Sequence, residues 1–138
     1  MKKHAVATLI LSLAGLTGLA NSQSAPTIVA EVPFNYIANG RAMPAGETRV
    51  KIENNGQAYL WIAAEERSAF AMPIWNESLK PAAETKLVFH RYGDRYFLAG
   101  VQRAGQTRNL ELPAGSLEKE LRASNTAEKD VTLVAAVK

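Results

Sequence analysis

Tight-turn residues divide this chain into short apolar runs, and that division constrains the fold more than any other feature. Asn39-Gly40, Asn54-Asn55-Gly56 and Gly93-Asp94 each separate two runs rich in aliphatic and aromatic residues. Such residues tolerate the positive φ angles of hairpin turns. Runs of this length between turns predict β-strands, and no long helical period follows residue 25.

The side-chain pattern within the runs predicts sheets with a buried face. In residues 48–53, Val50 and Ile52 alternate with Arg49, Lys51 and Glu53. That period of two is typical of a strand with one buried and one wet face. About seven strands are predicted in all, at residues 27–38, 48–53, 58–63, 68–75, 86–92, 95–103 and 130–137.

Prolines and one helical segment refine this prediction. Pro33 and Pro73 lie inside predicted strands and lack the N–H that a sheet ladder needs, so Pro33 indicates an edge or a bulge, and Pro73 indicates an edge or the end of its strand. Residues 116–123 predict one short C-terminal helix, with Ser116 as its N-cap and Leu117 and Leu121 on one face. The predicted fold class is mainly β. It is a single antiparallel β-barrel or sandwich at residues 25–138, and barrel and sandwich remain open alternatives.

The N-terminus has the pattern of a signal peptide. Met1-Lys2-Lys3-His4 is basic, and residues 5–20 carry no charge. This apolar stretch is shorter than the roughly 20 residues needed to span a bilayer. Small residues allow cleavage after Ala20 or Ser24. We therefore predict a signal peptide at residues 1–24 and an exported protein, periplasmic or secreted, with no stable membrane anchor after cleavage.

Removing this segment changes the chemistry available to the chain. The formal charge of +3 includes Lys2 and Lys3, so the mature charge is only +1, and we expect no nucleic-acid partner. The absence of cysteine excludes disulfides and thiol nucleophiles. Without His4, His90 is the single histidine, and a transition metal would need carboxylates for most of its ligands. We therefore expect no metal and no cofactor.

Three segments carry a resemblance to a known family. They are Val32-Pro33-Phe34, Met43-Pro44-Ala45-Gly46-Glu47, and residues 86–98, which read Lys-Leu-Val-Phe-His-Arg-Tyr-Gly-Asp-Arg-Tyr-Phe-Leu. Together they resemble a family of small exported bacterial β-proteins of unassigned function. The resemblance spans about residues 31–122, and Thr48 departs from the tyrosine-like residue usual there. It implies export and a β domain, and no catalytic residues.

The third segment also holds the one cluster of reactive side chains. In a hairpin, His90 and Tyr92 share one face and Arg91 lies on the other. His90 could act as a general base oriented by Asp94. Alternatively, Gly93-Asp94 simply forms the turn, and the flanking arginines and tyrosines hydrogen-bond across it. The candidate binding residues here are His90, Arg91, Tyr92, Arg95 and Tyr96.

Tyr59 and Trp61 are a second candidate binding pair. They project opposite to Leu60 and Ile62 along one predicted strand. In a sandwich with one wet face they would be exposed and mark a binding strip. In a closed barrel with a helix or loop outside, they would be covered.

These observations favour an exported, non-catalytic β-domain that binds a protein or cell-envelope component. One alternative is a small β-barrel that holds an apolar or aromatic ligand in its interior. Another is a hydrolase-type enzyme using His90. Because no nucleophile motif or metal-binding motif accompanies His90, we expect no enzymatic activity.

Overall fold

The computed structural model describes residues 27–54, 56–124 and 127–137. The predicted signal peptide, residues 1–24, and both of its cleavage points lie outside this part of the chain. Within it, no helix is long and apolar enough to cross a membrane.

The described chain forms twelve strands and one helix. The strands are β1 (Thr27–Val32), β2 (Tyr36–Ala38), β3 (Arg41–Met43), β4 (Gly46–Asn54), β5 (Ala58–Ala64), β6 (Arg67–Ala71), β7 (Ile74–Glu77), β8 (Lys86–Tyr92), β9 (Arg95–Gln102), β10 (Arg108–Glu111), β11 (Glu128–Val134) and β12 (Ala136–Val137). Helix α1 (Ser116–Ala123) lies between β10 and β11.

The strands form two sheets that are not closed into a barrel. The first sheet has the order β12-β1-β4-β5-β6. The second has the order β11-β8-β9-β10-β7, with β2 beside β9 and β3 beside β2. Neighbours pair antiparallel except at one β2–β9 pair, Ile37 with Phe97. The mainly β prediction is therefore confirmed, and of its two alternatives the fold is the sandwich.

The core lies between the inner faces of the two sheets. Val50, Leu60 and Ile62 from the first sheet are fully buried, as are Leu87 and Phe89 from the second. All five belong to one hydrophobic cluster. The alternating pattern of the sequence produces this arrangement because every second side chain of a strand points to the same face.

The prediction of about seven strands was too low, because prolines divide two of the predicted runs. β1 ends immediately before Pro33, and β2 begins at Tyr36. The predicted strand at 68–75 is likewise split at Pro73, where the chain leaves the first sheet after β6 and enters the second as β7. Pro73 lies between β6 and β7, and both are edge strands. This agrees with the lack of an N–H donor at proline, which disfavours the interior of a sheet. The other extra strands are two to four residues long, too short for a periodicity.

Helix α1 has the predicted bounds, but its predicted buried face was wrong. Its N-cap is Gly115 rather than Ser116, and no side chain caps it. Leu117 is exposed, whereas Glu118 is buried. The helix lies on the outer face of the second sheet, where polar groups of β8 bind that carboxylate.

The hairpin of β8 and β9 around Gly93-Asp94 is confirmed. A register shift between Val88 and Phe89 is its one irregularity. At the C-terminal end, the predicted single strand is divided into β11, which pairs with β8, and β12, which pairs with β1. The chain therefore ends by contributing one strand to each sheet.

Candidate functional site

An exposed strip of large apolar side chains lies on the outer face of the first sheet. We call it the aromatic band, and it consists of Tyr59, Trp61, Phe70 and Met72. Trp61 and Phe70 are each 45% exposed, and Met72 is 49% exposed. The sequence alternatives for Tyr59 and Trp61 were exposed or covered; Trp61 is exposed, whereas Tyr59 is partly buried.

The strands β5 and β6 position the band. Along β5, Leu60 and Ile62 point into the core, so Tyr59 and Trp61 point outward. Trp61 is directly opposite Phe70 in the β5–β6 register. Their ring centroids are 6.1 Å apart, and those of Tyr59 and Phe70 are 5.1 Å apart. Aromatic rings at these separations support one another's orientation.

Charged side chains border the band on β4. Lys51 is paired with Trp61 and Glu53 with Tyr59 in the β4–β5 register. On the other side, the β2–β3 hairpin contacts the backbone of β6, where Asn39 Nδ2 donates to the Phe70 carbonyl at 2.7 Å. The band is therefore an apolar strip with a polar margin.

A second feature, which we call the Glu118 cluster, joins α1 to β8 and β11. It consists of His90, Tyr92, Glu118, Arg122 and Glu128. Glu118 Oε2 accepts a hydrogen bond from the Tyr92 hydroxyl at 2.7 Å and lies 2.7 Å from His90 Nδ1. Arg122 approaches the same oxygen at 3.3 Å and donates through Nε to the Tyr92 hydroxyl at 2.9 Å.

The environment of this cluster raises the pKa of two of its members, Tyr92 and Arg122. Burial raises the pKa of Tyr92 to about 12, and the hydrogen bond to Glu118 adds to this rise. The hydrogen bond that Arg122 donates to the Tyr92 hydroxyl lowers the pKa of Tyr92 and so offsets part of this rise. The hydrogen bond to Tyr92 is also the main cause that raises the pKa of Arg122. The cluster is thus a mutually satisfied network that fastens the helix to the sheet.

His90 faces carboxylates other than the predicted Asp94. In addition to Glu118, Glu128 Oε1 lies 3.4 Å from its Nδ1, and Asp130 Oδ1 lies 3.7 Å from its Nε2. Asp94 is in the β8–β9 turn and lines a different groove. His90 and Glu118 line a cleft of about 450 Å³. The prediction that His90 and Tyr92 share a face is confirmed.

His90, Glu128 and Asp130 also satisfy a simple distance condition for a metal site. One ligand atom from each lies within 4.8 Å of the others. Both carboxylates are exposed, and Glu128 also approaches Arg122 at 3.6 Å. The ion pairs already present account for this grouping.

The remaining candidate residues lie at the far end of the β8–β9 hairpin. Arg91 Nε donates to the Gly93 carbonyl at 2.7 Å, and its guanidinium lies 5.5 Å from the centroid of the Tyr96 ring. Tyr96 stacks on Phe34 at 3.7 Å. Arg95 and Tyr96 line an open groove of about 440 Å³ beside β2 and β3. The predicted group of five is therefore divided, because His90 and Tyr92 join the Glu118 cluster, whereas Arg95 and Tyr96 line this groove.

Several residues of these sites were missed in the sequence. Phe70 was inside a predicted strand, and its opposition to Trp61 depends on the β5–β6 register. Glu118, Glu128 and Asp130 reach His90 only through the packing of α1 and the β8–β11 pairing. Glu118 lies in the first turn of α1, and nothing in the sequence separates it from the other charged residues of this helix.

Comparisons of the chain with protein-family models, with curated proteins and with solved structures each found no match. What defines the protein's class is therefore its own geometry. It is a two-sheet β-sandwich with a short helix held by a buried carboxylate on the outer face of one sheet. An exposed aromatic band lies on the outer face of the other.

Proposed function

We propose that this is an exported, non-catalytic β-sandwich domain that binds a protein partner through the aromatic band. The observation that carries the proposal is the 45% exposure of both Trp61 and Phe70 on a regular sheet face. Large contiguous apolar surface on a folded domain commonly marks an interaction site. The contacts of these rings with each other hold the surface in one shape.

The composition of the band favours a protein as the partner. Aromatic residues and methionine are enriched at the centres of protein interfaces, whereas charged residues are found at their rims. The band has this arrangement, with Trp61 and Phe70 at the centre and Lys51 and Glu53 on β4 beside them. A flat sheet face also suits a protein surface better than a small ligand, which needs concavity.

Acid–base catalysis by His90 is a second candidate, favoured by one observation. His90 Nδ1 lies 2.7 Å from the buried Glu118 carboxylate, beside a cleft. We rank it second because the same carboxylate oxygen also accepts from Tyr92 and is approached by Arg122. An anchoring role explains all three contacts. A hydrolase would show turnover of ester substrates that His90→Asn abolishes, and we expect none.

The interior-ligand hypothesis is less well supported. The side chains expected to fill a solid interior include Val50, Leu60, Phe89 and Leu98, and all four are buried in the core cluster. Phe34 packs against the same cluster. Small β-structures are commonly filled by their own side chains in this way.

Export is part of the proposal and has a direct test. The full chain is expressed in a bacterium, the periplasm and medium are collected, and the protein's N-terminus is sequenced. We expect mature protein beginning at residue 21 or 25. Full-length protein in the cytoplasm would contradict export without bearing on the aromatic band.

The binding proposal is tested in two stages. Immobilised mature protein is first used to capture envelope and secreted proteins, and each captured protein is then purified and titrated against it. We expect Trp61→Ser to weaken the resulting complex by about 30-fold, which is the effect of losing an interface residue worth about 2 kcal/mol. Phe70→Ser should act similarly.

The matched control is Leu79→Ser, which removes a fully exposed apolar side chain outside the band. It should leave the affinity within about twofold, since isolated exposed apolar residues contribute little. A partner whose affinity is equally insensitive to Trp61→Ser and Leu79→Ser would overturn the proposal. The absence of any captured protein that binds after purification would do the same.

A further inference from the structure

A cleft opens between the two sheets. We call it the Arg103 cleft. It has a volume of about 390 Å³, within the range of small-ligand sites. Ile28, Ile52 and Val137 of the first sheet contribute apolar surface, and Trp75 and Arg103 contribute from the second.

Arg103 is unusual among the polar groups of the described chain. Its Nε atom is buried and has no hydrogen-bond partner. Its guanidinium lies 5.6 Å from the centroid of the Trp75 ring. No carboxylate of the described residues forms an ion pair with it. Buried donors of charged groups are seldom left unsatisfied in native proteins, because the loss of hydration is then uncompensated.

Arg108 provides a comparison within the same structure. Its guanidinium also lies over Trp75, at 4.3 Å from the ring centroid. Its Nε, however, is 3.7 Å from Glu77 Oε1, and the side chain is 54% exposed. Arg108 is therefore compensated by a carboxylate and by solvent, whereas Arg103, which lines the cleft, has no carboxylate partner among the described residues.

The charge of the cleft is consistent with an anionic ligand. Among the described residues that line it, Arg103 alone carries a full charge. Arginine binds carboxylates through charge-assisted hydrogen bonds with matching planar geometry. The rest of the lining is aliphatic, aromatic or neutral, and would be covered favourably by hydrocarbon.

We infer that the Arg103 cleft binds an apolar monocarboxylate. The carboxylate pairs with the Arg103 guanidinium, and the hydrocarbon part lies against Ile28, Ile52 and Val137, with Trp75 beside it. This site lies between the sheets, away from the aromatic band on the outer face, and it does not depend on the proposed protein partner.

Sodium octanoate is the probe, and 1-octanol is its uncharged counterpart of the same chain length. In calorimetric titrations of the mature protein, we expect octanoate to bind one site with a dissociation constant below about 1 mM. Octanol should bind at least about tenfold more weakly, because it lacks the charge that Arg103 complements. Equal affinity for the two compounds, or no saturable binding of octanoate, would overturn the inference.

Three variants locate the site. Arg103→Gln should weaken octanoate binding by about tenfold or more, whereas Arg108→Gln should change it by less than about twofold. Val137→Trp, at an exposed position of the edge strand β12, should block the cleft without changing its charge. This variant decides the question if Arg103→Gln does not fold. Equal weakening by Arg103→Gln and Arg108→Gln would indicate general attraction to positive charge and overturn the inference.

Discussion

At the scale of single residues, the buried carboxylate of Glu118 joins the helix to the second sheet. It binds Tyr92 and His90 of the sheet and is approached by Arg122 of its own helix. Breaking such a network leaves several polar groups buried without partners, and the free energy of unfolding falls accordingly.

Replacement of Glu118 by alanine should lower the free energy of unfolding by about 2–4 kcal/mol. The matched control on the same helix is Glu120→Ala, an exposed position that should change it by less than about 0.5 kcal/mol. Urea denaturation followed by circular dichroism measures both. Equal effects of the two variants would show that the network does not hold the helix.

The raised pKa of Tyr92, to about 12, predicts a specific alkaline instability. The folded state keeps the phenol proton beyond the ordinary pKa of 10.0. This stabilisation is therefore complete below pH 10 and is lost as the pH rises from 10 to 12. Burial also raises the pKa of Tyr36, which adds to the loss.

Tyr92→Phe should remove the Tyr92 part of this pH dependence. The variant will be less stable than the wild type at pH 8, since Glu118 and Arg122 lose a partner, but the difference should narrow between pH 10 and 12. Unfolding curves at fixed pH values test this. A stability difference that stays constant across that window would contradict the account.

At the scale of elements, sequence reasoning worked where local patterns decide the structure. The β8–β9 hairpin and the bounds of α1 followed from Gly93-Asp94 and from helical spacing. The buried face of α1 could not be predicted in this way, because Glu118 is buried only through its packing against β8. The short strand β7 pairs with β10, a distant part of the sequence, so no local pattern shows which sheet it joins.

Gly100 lies where β9 packs closely against β10, and the close packing there leaves no space for a Cβ atom. A Cβ added there would lie 2.7 Å from the Leu110 carbonyl oxygen, closer than real Cβ contacts. Gly100→Ala should therefore lower the free energy of unfolding by about 1–3 kcal/mol through overpacking. Thermal denaturation measures it.

Gly115→Ser is the matched control for Gly100→Ala. A Cβ at Gly115 meets no atom within 4 Å, and the extended backbone of this N-cap suits serine. This change should be neutral or stabilise by a few tenths of a kcal/mol. A loss of stability as large as that of Gly100→Ala would refute the steric argument.

At the scale of the whole molecule, the alternative of barrel or sandwich was decided by long-range pairing. The chain changes sheets between β1 and β2, between β3 and β4, at Pro73 and between β11 and β12, and local sequence does not specify the partner that a strand finds. The exposure of Trp61 follows from this outcome, because the outer face of the first sheet would be covered in the alternative. About half of the candidate site was therefore predictable from the sequence. The alternation along β5 indicates that Tyr59 and Trp61 point away from the core, whereas the position of Phe70 beside them depends on the β5–β6 register.

Both predicted cleavage points precede β1, which begins at Thr27. The mature chain therefore keeps every described strand, and we expect residues 25–138 to unfold in one cooperative transition. Fluorescence and far-ultraviolet circular dichroism should give the same midpoint in urea. Non-coincident midpoints would show that the two sheets do not unfold as one unit.

The central claim, that the aromatic band is a protein-binding surface, is tested most directly by the ratio of two dissociation constants. The protein captured by the mature chain is titrated against the Trp61→Ser and Leu79→Ser variants under identical conditions. We predict that Trp61→Ser binds about 30-fold more weakly than Leu79→Ser. A ratio near one, with both variants folded, would contradict the claim.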